Sequence, residues 1–139
     1  MLKSLTAEIF GVDVDPRHGG ASLADFEWRY RVLVIFPDSP NIEATRQASL
    51  LLAEADGLRE RDLVVLEIGQ TDVRVLFGPD EDLNPYAIRY DLDVADGFFS
   101  LLLVGKDGSV KIRSDEVVPC STIFSLIDQK SAADRRVAN

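Results

Sequence analysis

The chain has very little of the chemistry that metal and redox sites need. Its 139 residues include one cysteine, Cys120, and one histidine, His18. A single cysteine excludes an intrachain disulfide and a four-cysteine zinc site, and a single histidine excludes a cluster of histidine ligands. We therefore predict no cofactor and no metal site.

Long apolar segments and an excess of basic residues are also missing. The longest largely apolar run is Phe98–Val104, far short of the ~20 residues of a transmembrane helix. The net charge is −9, whereas phosphate backbones and anionic membranes attract clustered Lys and Arg. We expect neither nucleic acid nor a membrane as partner. The first residues lack the apolar core of a signal peptide, so the chain as given is predicted to be soluble.

Short apolar runs are present, and they have the length of β-strands. Runs that are apolar on both faces are typical of central strands covered by helices. Three of them are predicted central strands: Arg31–Phe36, Leu63–Ile68 and Phe99–Val104. Residues 73–77 predict a short edge strand. The turn 105–108 contains Asp-Gly and joins the third central strand to the alternating segment 109–113, which indicates a β-hairpin.

Three helices are predicted between and after these strands. Apolar spacing after residue 40 predicts a first helix of roughly 16 residues, with Ser39 as N-cap, Pro40 at the first helical position and Gly57 as a left-handed C-cap. Asn84-Pro85 opens a second helix to about Tyr90, and Pro119 opens the last. The order of elements predicts an α/β fold of the thioredoxin plan, a central mixed β-sheet flanked by helices.

Several stretches in this order resemble a known family. They are Arg31–Phe36 with the polar break after it, Arg46-Gln47, Leu58–Leu63, Phe99–Lys111 and Phe124–Asp128. Together they are similar to the P-DUDES or DUF4174 domains, which are thioredoxin-like, related to peroxiredoxins and without the thioredoxin cysteine pair. The usual family ending, richer in Met, Pro and Arg, is replaced here by Gln129-Lys130-Ser131.

The resemblance implies a domain organisation and a setting. The thioredoxin-like domain is expected over residues 28–130, with an N-terminal lead-in over 1–27 and a polar C-terminal tail over 131–139. The family includes bacterial stand-alone domains and repeats in animal extracellular and matrix proteins, so an exported form is compatible with the resemblance. No activity is settled for the family, and the sequence predicts neither a localisation nor an oligomeric state.

The position that carries redox chemistry in thioredoxins lacks the required residues here. In thioredoxins the cysteines lie between the first central strand and the next helix, which here is the segment 37–41, and it contains no sulfur. The segment Gly97-Phe98-Phe99, where thioredoxins place a cis-proline, contains no proline. We therefore predict a non-catalytic module that binds an unidentified protein or small ligand. Its predicted surface comprises Asp38, Ser39, Asn41, Gly97 and Phe98, with a basic spot formed by Lys106, Lys111 and Arg113.

Cys120 supports the alternative function, a one-cysteine peroxidase or reductase. It is predicted at the start of the last helix, where the helix dipole lowers a thiol pKa. A free cysteine is more often a small apolar residue packed in the core. We favour packing and expect that the protein is not an enzyme.

Four other features of the sequence are better explained by structure than by chemistry. Asp80, Asp82 and Asn84 have the spacing of a calcium loop, but Pro85 stands where the loop needs glycine, so we predict a solvated loop and a helix cap. His18 is predicted to be exposed and without a chemical role. Further predictions are that Trp28 and Tyr30 pack against the core or its edge and that Arg61-Asp62 form an ion pair.

Overall fold

The sheet of this domain has five strands in mixed orientation. The computed structural model describes residues 23–138, with side chains described as far as Gln129, so His18 lies outside the described residues. A short 3-10 turn at Ala24–Phe26 precedes the first strand. The strands are β1 (Arg31–Phe36), β2 (Leu63–Ile68), β3 (Val73–Phe77), β4 (Ser100–Val104) and β5 (Val110–Ser114).

The helices connect these strands in the predicted order. They are α1 (Ile42–Leu52), α2 (Ala55–Glu60), α3 (Pro85–Leu92) and α4 (Cys120–Ala138). The sheet order is β3-β2-β1-β4-β5, with β1 and β2 parallel and the other neighbouring pairs antiparallel. The predicted α/β architecture, a mixed sheet flanked by helices, is confirmed.

The three central strands separate two apolar cores. Alternate residues of each strand point to opposite faces, so a strand that is covered on both sides must be apolar at nearly every position. Phe36, Leu66 and Leu102 lie in one core with Ile88 of α3, and all are buried. The other core contains Ile123 of α4 together with apolar residues of α1 and α2. Phe36, Leu66 and Leu102 are buried on three adjacent strands, as expected for the predicted central strands.

The predicted start of the first helix is wrong, and Asp38 is the reason. The helix begins at Ile42 after Asn41, which has a left-handed φ of 75° and makes no side-chain cap. The Asp38 carboxylate instead accepts hydrogen bonds from the backbone N–H groups of Ile42, Glu43 and Ala44. These groups have no partner inside the helix, so a carboxylate from the preceding loop replaces the predicted serine cap. The Ser39–Pro40 peptide bond is cis.

The predicted end of that helix is also wrong. The segment divides into α1 and α2, and Gly57 lies within α2 instead of ending a helix. A Cβ atom at Gly57 would lie 2.5 Å from the Phe124 ring. Glycine is therefore required here by the close approach of α4 and not by a left-handed backbone.

The remaining elements largely match the predictions. Asn84 caps α3 by accepting from the N–H groups of Tyr86 and Ala87, with Pro85 at the start of the helix. Helix α4 continues through residues 131–138, the segment assigned to a polar tail. Tyr30 packs edge-on against Phe26 as expected, but Trp28 does not pack, since 74% of its surface is exposed. Trp28 has a left-handed φ of 68°, and its backbone N–H donates to the Lys106 carbonyl. This backbone geometry leaves the ring outside the core.

Candidate functional site

A small cleft lies at the carboxyl ends of the parallel strands β1 and β2. In open α/β sheets this edge is where ligands usually bind. The cleft has a volume of about 210 Å³ and is lined by the ends of β1 and β2, three loops and Arg89 of α3. Asp38, Ser39 and Gly97 of the predicted surface all line it. The N–H of Ser39 donates to the Gly97 carbonyl at 3.3 Å, so the two predicted loops are joined directly.

Asp38 is one of three charged residues at this cleft, with Arg89 and Asp96, and its carboxylate is bound to the start of α1. Its two oxygens lie 3.0 to 3.2 Å from the first three N–H groups of α1. Desolvation raises the pKa of Asp38, but hydrogen bonds from the backbone of Glu43, Ala44, Ile42 and Asp38 itself outweigh it and hold the pKa below its usual value. The positive end of the α1 dipole therefore holds an internal carboxylate.

Arg89 of α3 also lines the cleft, and no sequence pattern predicted it. Its Nε is 2.8 Å from an Asp96 carboxylate oxygen, and its Nη2 is 2.6 Å from the Gly69 carbonyl oxygen. The Arg89 side chain thus ties the loop after β2 to the loop before β4. Its partner Gly69 lies 20 residues earlier in the chain, so no local pattern could have predicted the contact.

The other predicted surface residues lie in three places. Asn41 lies immediately before α1, and Phe98 lies next to Gly97 with 73% of its surface exposed. Lys106 and Lys111 line a different cleft, at the amino-terminal end of β1. Arg113 donates to the Leu92 carbonyl at the end of α3. The predicted basic spot is therefore not one cluster, because its members bind Asp62, Asp107 and the α3 backbone separately.

Cys120 is partly buried at the start of α4 and packs against the core beneath α1 and α2. Desolvation by burial and the negative charge of Glu54 raise the pKa of this thiol, and the opposing effect of Arg61 is smaller. The raised pKa favours the protonated thiol. Cys120 lines neither the Asp38 cleft nor the cleft that contains Lys106 and Lys111.

The described residues contain neither a group of metal ligands nor a helix that could span a membrane. Within the described residues, no three His, Cys, Asp or Glu side chains are grouped so that they could hold a metal ion. Asp80 and Asp82 belong to no such group, and Asn84 serves as the α3 cap. None of the described helices combines the length and apolarity needed to cross a bilayer.

Comparison with known proteins identifies the family. A model described as a domain of unknown function, DUF4174, matches residues 22–135. The chain belongs to the DUF4174 family. This match confirms the resemblance inferred from the sequence. No curated protein matches the chain.

Two solved structures show that the fold of this DUF4174 domain is shared with peroxiredoxins. A reduced 2-Cys peroxiredoxin of Plasmodium vivax aligns with a TM-score of 0.59 at 15% identity, covering 81% of this chain and 84% of its own. Thioredoxin peroxidase I of Plasmodium yoelii aligns with a TM-score of 0.59 at 19% identity, covering 81% and 79%. At these identities the likeness establishes the thioredoxin-like fold alone.

The stretches that carry the family resemblance contact one another. Arg61 forms two hydrogen bonds to the Asp128 carboxylate, at 3.1 and 2.9 Å, and its guanidinium lies 4.1 Å from the centroid of the Phe124 ring. These contacts fix α2 to α4. Asp62 pairs with Lys106 at 2.9 Å instead of with Arg61, so the predicted Arg61–Asp62 pair is wrong.

Gln47 makes a similar long-range contact from α1. Its side chain has no exposed surface. The amide Nε2 donates to the Val118 carbonyl at 2.9 Å, and Oε1 accepts from the Val118 N–H at 2.8 Å. Both backbone groups of Val118 are thereby satisfied next to the start of α4. The family-like residues Gln47 and Arg61 thus hold α4 in place and do not line the Asp38 cleft.

Proposed function

We propose that this domain is a non-catalytic binding module and that a protein partner docks at the Asp38 cleft. The observation that most supports the proposal is that the N-terminus of α1 is capped by a carboxylate of the same chain. A thioredoxin-fold redox enzyme uses this helix end to stabilise a thiolate. Here the first three backbone N–H groups of α1 all donate to the Asp38 carboxylate. These three groups are therefore not available to stabilise a reacting anion.

The size and rim of the cleft favour a protein as the partner. Its volume of about 210 Å³ is below the ~300–1,000 Å³ of typical small-molecule pockets. Two large apolar side chains extend the surface outward, Phe98 beside Gly97 and Ile42 at the start of α1, with 73% and 63% of their surfaces exposed. Exposed aromatic and aliphatic anchors beside a shallow pocket are typical of protein interfaces.

Site-specific photo-crosslinking in the native host tests this surface. A photoreactive phenylalanine analogue at Phe98 is expected to form one discrete adduct, which Ile42→Asp should abolish. The same analogue at Tyr86, a similarly exposed aromatic residue on α3, is the matched control and should form no adduct. Adducts of equal yield at both positions, or no adduct at Phe98, would overturn the assignment of the surface.

The alternative is a one-cysteine thiol enzyme that uses Cys120. Its partly buried position and raised pKa oppose it, because a catalytic thiol must be accessible and must ionise near neutral pH. We expect slow labelling of Cys120 by a thiol reagent in the folded protein and fast labelling after unfolding. Catalytic peroxide consumption by the purified protein that disappears in Cys120→Ser would refute the non-catalytic proposal.

A further inference from the structure

A second, larger cleft lies at the opposite end of the strands from the Asp38 cleft. It has a volume of about 500 Å³, within the range of small-molecule pockets. Three parts of the fold form it: the segment that enters β1, the β4–β5 hairpin and α4. Its apolar lining includes Trp28, Leu103, Ile112, Leu126 and Ile127.

Two of these apolar side chains are unusually exposed for their size. Trp28 is 74% exposed and Leu126 is 46% exposed, although both line a concave surface. Trp28 is held there by its left-handed φ of 68° and by the hydrogen bond from its backbone N–H to the Lys106 carbonyl. A bulky residue seldom adopts this backbone conformation, and such outliers occur preferentially at binding sites.

The polar part of the lining is cationic, although the whole chain is acidic. Arg31, Lys106 and Lys111 line the cleft with a single carboxylate, that of Asp107, whereas the chain carries a net charge of −9. Lys106 Nζ lies 2.9 Å from an Asp62 oxygen, and Lys111 Nζ lies 3.2 Å from an Asp107 oxygen. Both lysines therefore already bind carboxylates.

We propose that this cleft binds a small organic carboxylate with an apolar body. The apolar body would lie against Trp28 and Leu126, and the carboxylate would take a position beside Lys106 and Lys111. The two ion pairs are partly exposed, and exposed pairs are weak, so a ligand carboxylate can exchange with those of Asp62 and Asp107. The proposal is independent of the proposed function, because the two clefts lie at opposite ends of β1.

Trp28 provides a direct readout, because it is the only tryptophan in the chain. Octanoate is a suitable probe, since it carries the proposed chemistry and does not absorb where tryptophan is excited. Titration with octanoate is expected to change the Trp28 emission saturably, with an apparent Kd below about 1 mM. Octan-1-ol and octylamine should bind at least ~5-fold more weakly, and raising the ionic strength should weaken octanoate binding.

Matched variants separate the cleft from the rest of the surface. Leu126→Asp should abolish the response, whereas Leu50→Asp, at a similarly exposed leucine on α1, should leave it unchanged. Lys111→Met should weaken octanoate binding and leave octan-1-ol binding unchanged, whereas Arg46→Met on α1 should affect neither. An unsaturable response, equal binding of the three probes, or a response that survives Leu126→Asp would overturn the proposal.

Discussion

Replacing Gln47 by glutamate tests whether its two hydrogen bonds to Val118 hold α4 in place. The substitution keeps the size of the side chain and replaces the amide donor by an oxygen. A protonated carboxyl can still donate to the Val118 carbonyl and accept from the Val118 N–H, so it reproduces both bonds. An ionised carboxylate cannot donate, and it would be buried at a position with no exposed surface.

The pH dependence of the stability loss follows from this difference. Burial raises the pKa of the introduced carboxyl above its unfolded value of ~4.3. With a raised folded pKa, the variant is near wild-type stability below pH ~4.3 and loses stability as the pH rises through the folded pKa. The loss grows by about 1.4 kcal/mol per pH unit in that window. If burial raises the pKa by roughly 2 pH units, the loss levels off near 2.7 kcal/mol.

Urea unfolding between pH 5 and pH 8 measures this dependence, and this range stays above the isoelectric point of about 4.5. Gln129→Glu is the matched control, because Gln129 is exposed on α4 and its replacement makes the same charge change. The control should change the free energy of unfolding by less than about 0.5 kcal/mol at every pH. A loss in Gln47→Glu that does not grow with pH would refute the role assigned to the Val118 contacts.

Three further predictions address the core, the α1 cap and the α2–α4 contact. Leu102→Ala should lower the free energy of unfolding by ~2–5 kcal/mol in urea titrations, because a fully buried central-strand site cannot collapse, and a loss below ~1 kcal/mol would contradict the core described. Asp38→Asn should lower the Tm at pH 7. Because the folded pKa of Asp38 is lowered, the Tm difference between variant and wild type should vanish as the pH falls below 3.8. A Tm difference that persists at low pH would contradict a stabilising effect of the Asp38 charge. Arg61→Lys should lower the free energy of unfolding by ~1 kcal/mol, because it removes the two hydrogen bonds to Asp128 and the contact with the Phe124 ring. The exposed Arg59→Lys should lower it by less than ~0.5 kcal/mol. Equal losses in the two variants would contradict the role of Arg61 in fixing α2 to α4.

The fold was predictable from the sequence because the central strands are apolar on both faces. Strands β1, β2 and β4 appear in the chain as unbroken apolar runs, and the Asp-Gly turn marks the hairpin that follows β4. Asn84-Pro85 likewise marks the start of α3, since the cap and the helix are adjacent in sequence. In each case the decisive interaction is local or is repeated along one element, so a pattern of residue types is sufficient.

Apart from the α1 cap, where Asp38 is adjacent to the predicted Ser39, the errors occurred where the decisive contact is distant in sequence. Gly57 has the local signature of a helix C-cap, but the Phe124 ring sets the requirement for glycine there. The partner of Gln47 lies 71 residues away, so nothing near Gln47 indicates its role. The cleft was partly predictable. Two of its three loops belong to the predicted surface, but Lys106 and Lys111, assigned to the same surface, lie at the other end of β1.

The positions that identify the family and the positions proposed to bind partners are different sets of residues. Gln47 and Arg61 belong to the stretches that carry the resemblance, and both are fully used in holding α4. Phe98 and Trp28, by contrast, direct large exposed rings away from the core. Because a fold can persist while its binding surfaces change, a match to the DUF4174 family predicts the scaffold. The proposed binding at the Asp38 cleft and at the cleft lined by Trp28 must therefore be tested separately.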